Sequence, residues 1–149
     1  VHDHDLLWCY PFNIKGIKFP NNVIINDLVP TDQFYTMLAQ ASFVILPLQD
    51  VKFSCGDSVM IKAMAAGKAV IATKSPSSEI HVVNGETGLL IPPADPDCLR
   101  EAILYLIDHP DVNKDMGRKA RIRYEKFYTP EAVAIERYKI FKDVCGEKP

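Results

Sequence analysis

Residues 54–73 constrain the fold more than any other stretch of this chain. They read Ser54-Cys55-Gly56-Asp57-Ser58-Val59-Met60-Ile61-Lys62-Ala63-Met64-Ala65-Ala66-Gly67-Lys68-Ala69-Val70-Ile71-Ala72-Thr73, and an apolar run, Phe43-Val44-Ile45-Leu46, precedes them. The order is buried strand, glycine-bearing loop, small-residue helix, glycine stop, buried strand. That order builds a βαβ unit, whose helix starts at the C-terminal edge of a parallel sheet. The first amides of such a helix point N–H groups outward, and its dipole favours negative charge. The expected ligand there is an anion, above all the phosphates of a nucleotide.

The remaining sequence repeats this alternation. Residues 1–21 read as irregular, with His2, Asp3, His4 and Asp5 polar and Pro11, Pro20 and Asn21 as breakers. Asn22–Ile25 reads as a strand. A helix follows from Thr31 or Asp32 to Ala41, with Thr31 as N-cap and Phe34, Met37, Leu38 and Ala41 on one stripe. The central helix runs from near Ser58 to before Gly67, where glycine tolerates positive φ. A short helix is expected from Ser77 or Ser78 to Val83, then an Asn84-Gly85 turn and a strand over Thr87–Ile91. Asp95-Pro96 marks a helix start with Leu99, Ile103, Leu106 and Ile107 inward. A basic helix spans about 111–127, and Thr129-Pro130 opens a last helix reaching Cys145. The fold class is α/β: a doubly wound, Rossmann-like parallel sheet with C-terminal helices.

Composition narrows the partners. The net charge is -2 across 149 residues, and no Lys/Arg run exceeds two, so nucleic acid is not an expected partner. No apolar stretch approaches the roughly 20 residues of a membrane span. Cys9, Cys55, Cys98 and Cys145 lack CxxC or metal-ligand spacing, which fits reduced cysteines in a cytoplasmic protein and no metal site. The basic residues Lys114, Arg118, Lys119, Arg121, Arg123 and Lys126 form a solvated helix face. The sharper alternative is a peripheral contact with an anionic membrane. No Ser-His-Asp, Cys-His or paired-carboxylate pattern emerges, so no catalytic residue is assigned.

The chain resembles the C-terminal, donor-binding half of GT-B fold glycosyltransferases, and most closely family 4 of the retaining enzymes (glycosyl transferases group 1). The likeness covers about residues 22–145. It is carried by 41–47, Lys62–Thr73, Glu79-Ile80, Asn84-Gly85-Glu86-Thr87-Gly88-Leu89-Leu90-Ile91-Pro92-Pro93, Asp95-Pro96 and Phe127-Tyr128-Thr129. The resemblance implies a partial nucleotide-sugar binding domain over 1–149. It implies transfer of a sugar from a nucleotide-diphosphate sugar, with retention, and no cofactor. It implies donor-binding roles for Ser54, Gly56, Asp57, Ser58, Val59, Lys62 and Glu79, the first-turn amides serving sugar and diphosphate. It also implies a carbohydrate or lipid-linked acceptor held by an N-terminal domain absent from this chain, in the cytoplasm or at the inner membrane face, as in polysaccharide biosynthesis.

Two departures stand out. Family members usually carry two glutamates with seven residues between them around the central helix, and here those positions are Ser54 and Lys62. A lysine only donates, so it cannot accept from two ribose hydroxyls as a carboxylate does. The family's early strand with an Arg and a nearby Lys has no match before Val23, so the fragment alone is expected to turn over very slowly. These departures favour the alternative of a non-catalytic GT-B-like binding or assembly module. A sugar-nucleotide epimerase of the same fold is a third reading, disfavoured by the text over 84–96.

Overall fold

The computed structural model describes residues 6–9, 18–26, 29–48 and 56–146. The chain divides into two compact units, Val1–Gln40 and Ala41–Pro149.

In the first unit, β1 (Leu6–Cys9) pairs in parallel with β2 (Val23–Asn26), with Leu6 opposite Val23 and Cys9 opposite Asn26. The strand β1 corrects the irregular reading of residues 1–21. Leu6-Leu7-Trp8-Cys9 is a four-residue apolar run like the other strands, and the stretch 10–22 is long enough for a parallel crossover. Helix α1 is Thr31–Gln40. Thr31 lies inside it and does not cap it: the Phe34 amide donates to the Pro30 carbonyl at 2.9 Å. Leu38 is buried, and Phe34 and Met37 are half-buried beside it on the expected stripe.

The second unit is a three-stranded parallel sheet, β3 (Phe43–Leu46), β4 (Ala69–Thr73) and β5 (Gly88–Ile91), with β4 in the middle. Helix α2 (Asp57–Ala65) joins β3 to β4, and α3 (Pro76–His81) joins β4 to β5. Every residue of β4 is buried, as a central strand covered on both faces requires. Alternation along β4 sends Ala69 and Ile71 into a cluster with Ile91, Ala102, Leu106 and Met116. Ala102 and Leu106 come from α4 (Pro96–Asp108), and Met116 from α5 (Pro110–Phe127). Helix α5 also packs against α2, whose Met60, Ala63 and Met64 are buried. Each large apolar side chain so buried contributes about 1.5–3 kcal/mol. The last helix, α6 (Pro130–Cys145), is capped by Thr129, whose Oγ1 accepts from the Ala132 amide at 3.2 Å, and buries no residue.

Close backbone approach explains Gly88. A Cβ there would sit 2.2 Å from the Val70 carbonyl oxygen, so any side chain would force β4 and β5 apart. The end of α2 follows the glycine rule. Gly67 has φ 67°, its amide donates to Met64 O at 3.0 Å, and the Lys68 amide donates to Ala63 O at 2.9 Å. This pair of bonds is the Schellman arrangement.

Candidate anion-binding corner at the start of α2

Because β3, β4 and β5 are parallel, α2, α3 and α4 all begin at the same edge of the sheet. Helix α5 begins at the opposite edge, where the Asn113 Nδ2 donates to the carbonyl of Ser42, just ahead of β3. The three starts at the shared edge are closed differently. At α3, Ser75 Oγ accepts from the Ser78 amide at 3.1 Å, and Ser78 Oγ accepts from the Ser75 amide at 2.8 Å. Ser78 Oγ, wholly buried, also donates to the Thr73 carbonyl at 2.8 Å. This is a capping box with Pro76 at the first helical position. It sets the start of α3 one or two residues ahead of the expected Ser77 or Ser78. At α4, Asp95 Oδ1 accepts from the Cys98 amide at 2.9 Å. That amide holds the Asp95 carboxyl below the usual carboxylate range, and Asp95 in turn pushes the Cys98 thiol up.

At α2 the cap is Gly56, with φ 78° and ψ −1°, which has no side chain of its own to close the helix start. The left-handed backbone there suits glycine, because a Cβ would be strained and would lie 3.2 Å from Leu48 Cδ1. The amides of Val59 and Met60 both donate to Gly56 O at 3.0 Å, so Val59 is engaged within the first turn. The Gly56 and Ser58 amides lie ahead of Val59 in this turn. Ser58 is exposed and lies inside the helix without capping it.

Other expected site residues fall around this corner. Asp57 opens α2, and its Oδ1 accepts from the Ser77 hydroxyl. Lys62, half-buried, lies four residues past Ser58 and so on the same helix face. Glu79 does not cap α3; its carboxylate is 3.4 Å from Lys74 Nζ, an exposed pair. Ser54 and Cys55 lie outside the described residues. Thr87 and Asn84 are structural: Thr87 Oγ1 accepts from the Val83 amide and Asn84 Oδ1 from the Leu90 amide, each at 2.9 Å. Among the described residues no group of His, Cys, Asp and Glu could hold a metal ion.

Sequence reasoning missed the polar residues behind Asp57. His81 Nε2 lies 3.7 Å from Asp57 Oδ1, and His81 Nδ1 lies 3.0 Å from the Tyr128 hydroxyl. Arg123 closes the end of α3, its Nε donating to His81 O at 3.1 Å and its Nη2 to Ile80 O at 2.8 Å. The only local signal was the four-residue spacing of Ser77 and His81, which puts both on one face of α3. Much of the basic face of α5 is similarly engaged. Asp115 pairs with Arg118 at 2.7 Å and Lys119 at 2.8 Å, and Arg121 pairs with Glu125 at 2.7 Å.

Residues 12–109 match the profile of the family described as glycosyl transferases group 1. The chain belongs to that family. A trehalose synthase of Pyrococcus horikoshii is 39% identical over 129 residues, which is 85% of this chain and 30% of that protein. Among solved structures, sucrose-phosphate synthase from Thermosynechococcus elongatus superimposes with a TM-score of 0.73 at 25% identity, covering 86% of this chain and 31% of that one. Anabaena Alr3699/HepE in complex with UDP-glucose gives 0.65 at 19% identity, covering 85% and 33%. The chain thus spans about a third of the length of these relatives. Its parallel sheet and C-terminal helices match the C-terminal, donor-binding half of the GT-B architecture. Among the described residues no helix is long and apolar enough to cross a membrane.

Proposed function

We propose that this chain is the donor-binding part of a glycosyltransferase that moves a sugar from a nucleotide-diphosphate sugar to an acceptor with retention of configuration. The observation that carries the reading is the start of α2. It is the one helix start at this sheet edge, among the described residues, whose cap residue has no side chain to satisfy the first turn. Membership of the group 1 glycosyl transferases supports it, as does a fold shared with a protein captured with UDP-glucose.

In this reading the diphosphate lies against the first turn of α2. Gly56 lets it approach the backbone, and the Gly56 and Ser58 amides donate to its oxygens. As the bond to the sugar breaks, negative charge grows on the leaving phosphate. Fixed N–H dipoles stabilise that charge without having to reorient. Ser54, Lys62 and Glu79 complete the donor pocket, with Lys62 one turn behind Ser58 offering a cation in place of a ribose-binding carboxylate. A carbohydrate or lipid-linked acceptor is held by sequence outside this chain.

Calorimetric titration with UDP, GDP and ADP tests the proposal. Saturable binding of one nucleotide is the expected result, and no binding of any at millimolar concentration refutes it. Lys62 favours a second reading, a non-catalytic module of the same fold, which predicts that negative outcome.

A further inference from the structure

Helix α6 is covered only near its start. Ala132 and Val133 are half-buried, and residues 134–146 are all exposed. Large apolar side chains are among them, with Ile135 58%, Tyr138 64% and Phe141 66% exposed. A helix of 16 residues is marginal in water by itself, and helices in proteins draw most of their stability from packing an apolar face. The Thr129 cap supplies part of that stability. The uncovered apolar face marks an interaction surface.

The order of residues along this face decides what fits it. Glu131, Ile135, Tyr138 and Lys142 recur at alternating four- and three-residue steps, which lines them up as one seam of the coiled-coil kind. All four are exposed. From the N-terminus the seam runs acid, apolar, apolar, base. Turned end over end, it is its own complement. In an antiparallel pair Glu131 meets Lys142 of the partner subunit, Ile135 meets Tyr138 of the partner subunit, and the two-fold axis repeats both contacts. A parallel pair would set like charges against each other at both ends. Ala134 and Phe141 flank the seam on one side, and in the antiparallel pair the small Ala134 leaves room for Phe141 of the partner subunit. Among the described residues neither Glu131 nor Lys142 forms an ion pair, whereas Lys139 pairs with Glu136 at 3.7 Å. An anionic membrane fits this helix less well. Glu131, Glu136 and Asp143 balance Arg137, Lys139 and Lys142, and one of the acids lies in the seam itself.

We propose that the outward face of α6 is a self-association surface, on which two copies of this chain pair antiparallel across Glu131, Ile135, Tyr138 and Lys142. The proposal uses no residue of the donor corner and stands or falls independently of the nucleotide-sugar reading.

Sedimentation equilibrium of the whole chain tests it. One helix pair is a small interface, so the mass should rise from 16.7 kDa toward twice that value between about 10 μM and about 1 mM. Tyr138→Lys should weaken the dimer about tenfold or more. Glu131→Lys and Lys142→Glu, made singly, should each weaken it about threefold or more, because each sets like charges together twice. The two changes made together should restore wild-type association, although both oppose the dipole of α6. That restoration separates pairing across an antiparallel seam from a mere effect on helix stability. Circular dichroism melts establish that each variant is folded, which their exposed positions favour. A chain that stays monomeric up to about 1 mM overturns the proposal. So does a dimer that Tyr138→Lys leaves unchanged, or a double variant that associates no better than the single ones. Co-sedimentation with vesicles of phosphatidylserine and phosphatidylcholine, by a chain that does not pair with itself, would assign the face to a lipid surface instead.

Discussion

Helices α2 and α3 start at the same edge of one sheet, on neighbouring connections, and they are closed in opposite ways. The start of α3 is sealed by its own side chains: Ser75 and Ser78 exchange two hydrogen bonds, and Ser78 ties the helix to the end of β4 through Thr73 O. The start of α2 is capped by a glycine in left-handed conformation, which has no side-chain acceptor of its own. The contrast separates two uses of the same geometry. A helix whose first amides serve the fold is satisfied from within. A helix whose first amides serve a ligand must be capped by backbone that leaves room for it.

The largest effect expected from probing this contrast is at the sealed end. Ser78→Ala removes a wholly buried hydroxyl with several partners and should lower stability by about 1–3 kcal/mol in urea unfolding, with nucleotide affinity of the folded protein unchanged. At the open end, Gly56→Val places a β-branched residue at positive φ against Leu48. It should cost about 1–2 kcal/mol of stability and weaken nucleotide-diphosphate binding at least tenfold by calorimetry. Wild-type affinity in that variant would break the distinction between the two starts.

Two smaller effects sharpen the comparison at α4, the third start on this edge. Ala94, just ahead of the Asp95 cap, has φ 54°. Ala94→Gly should relieve that strain and raise stability by up to about 1 kcal/mol in urea unfolding, the gain being reduced by the freer unfolded chain. The Asp95 carboxyl is held low, chiefly by the Cys98 amide. Because the folded pKa lies below the unfolded one, its contribution is present above about pH 4 and is lost as the pH falls from there through the folded value. Asp95→Asn keeps a capping oxygen and removes the charge. Its unfolding midpoint should lie below wild type at neutral pH and decline less steeply below about pH 4.

Legibility in the sequence followed the range of the interactions. Strands β3 and β4 were visible as short apolar runs, and α4 and α6 as Asp95-Pro96 and Thr129-Pro130, because each signal lies within four residues of what it determines. The end of α2 was visible at Gly67 for the same reason. Strand β1 was hidden because its evidence is a partner beyond the stretch 10–22, while nearby aromatics and prolines suggested irregular chain. The start of α3 was blurred by three serines that could each cap, and Ser75 prevailed because Pro76 can follow a cap but cannot sit deeper in a helix. At the site, the glycine and the small-residue helix were legible. The layer behind Asp57 was not: Ser77, His81 and Tyr128 come from positions 20 to 71 residues further along, and no local pattern records their meeting.

Amide chemical shifts of the 15N-labelled chain, followed as UDP, GDP or ADP is added, show which helix start meets the diphosphate. The Gly56 and Ser58 amides should move first and farthest, while the Ser78 and Cys98 amides at the sealed starts of α3 and α4 stay in place. Saturating shifts centred on Ser78 or Cys98, with Gly56 and Ser58 unmoved, would contradict this expectation.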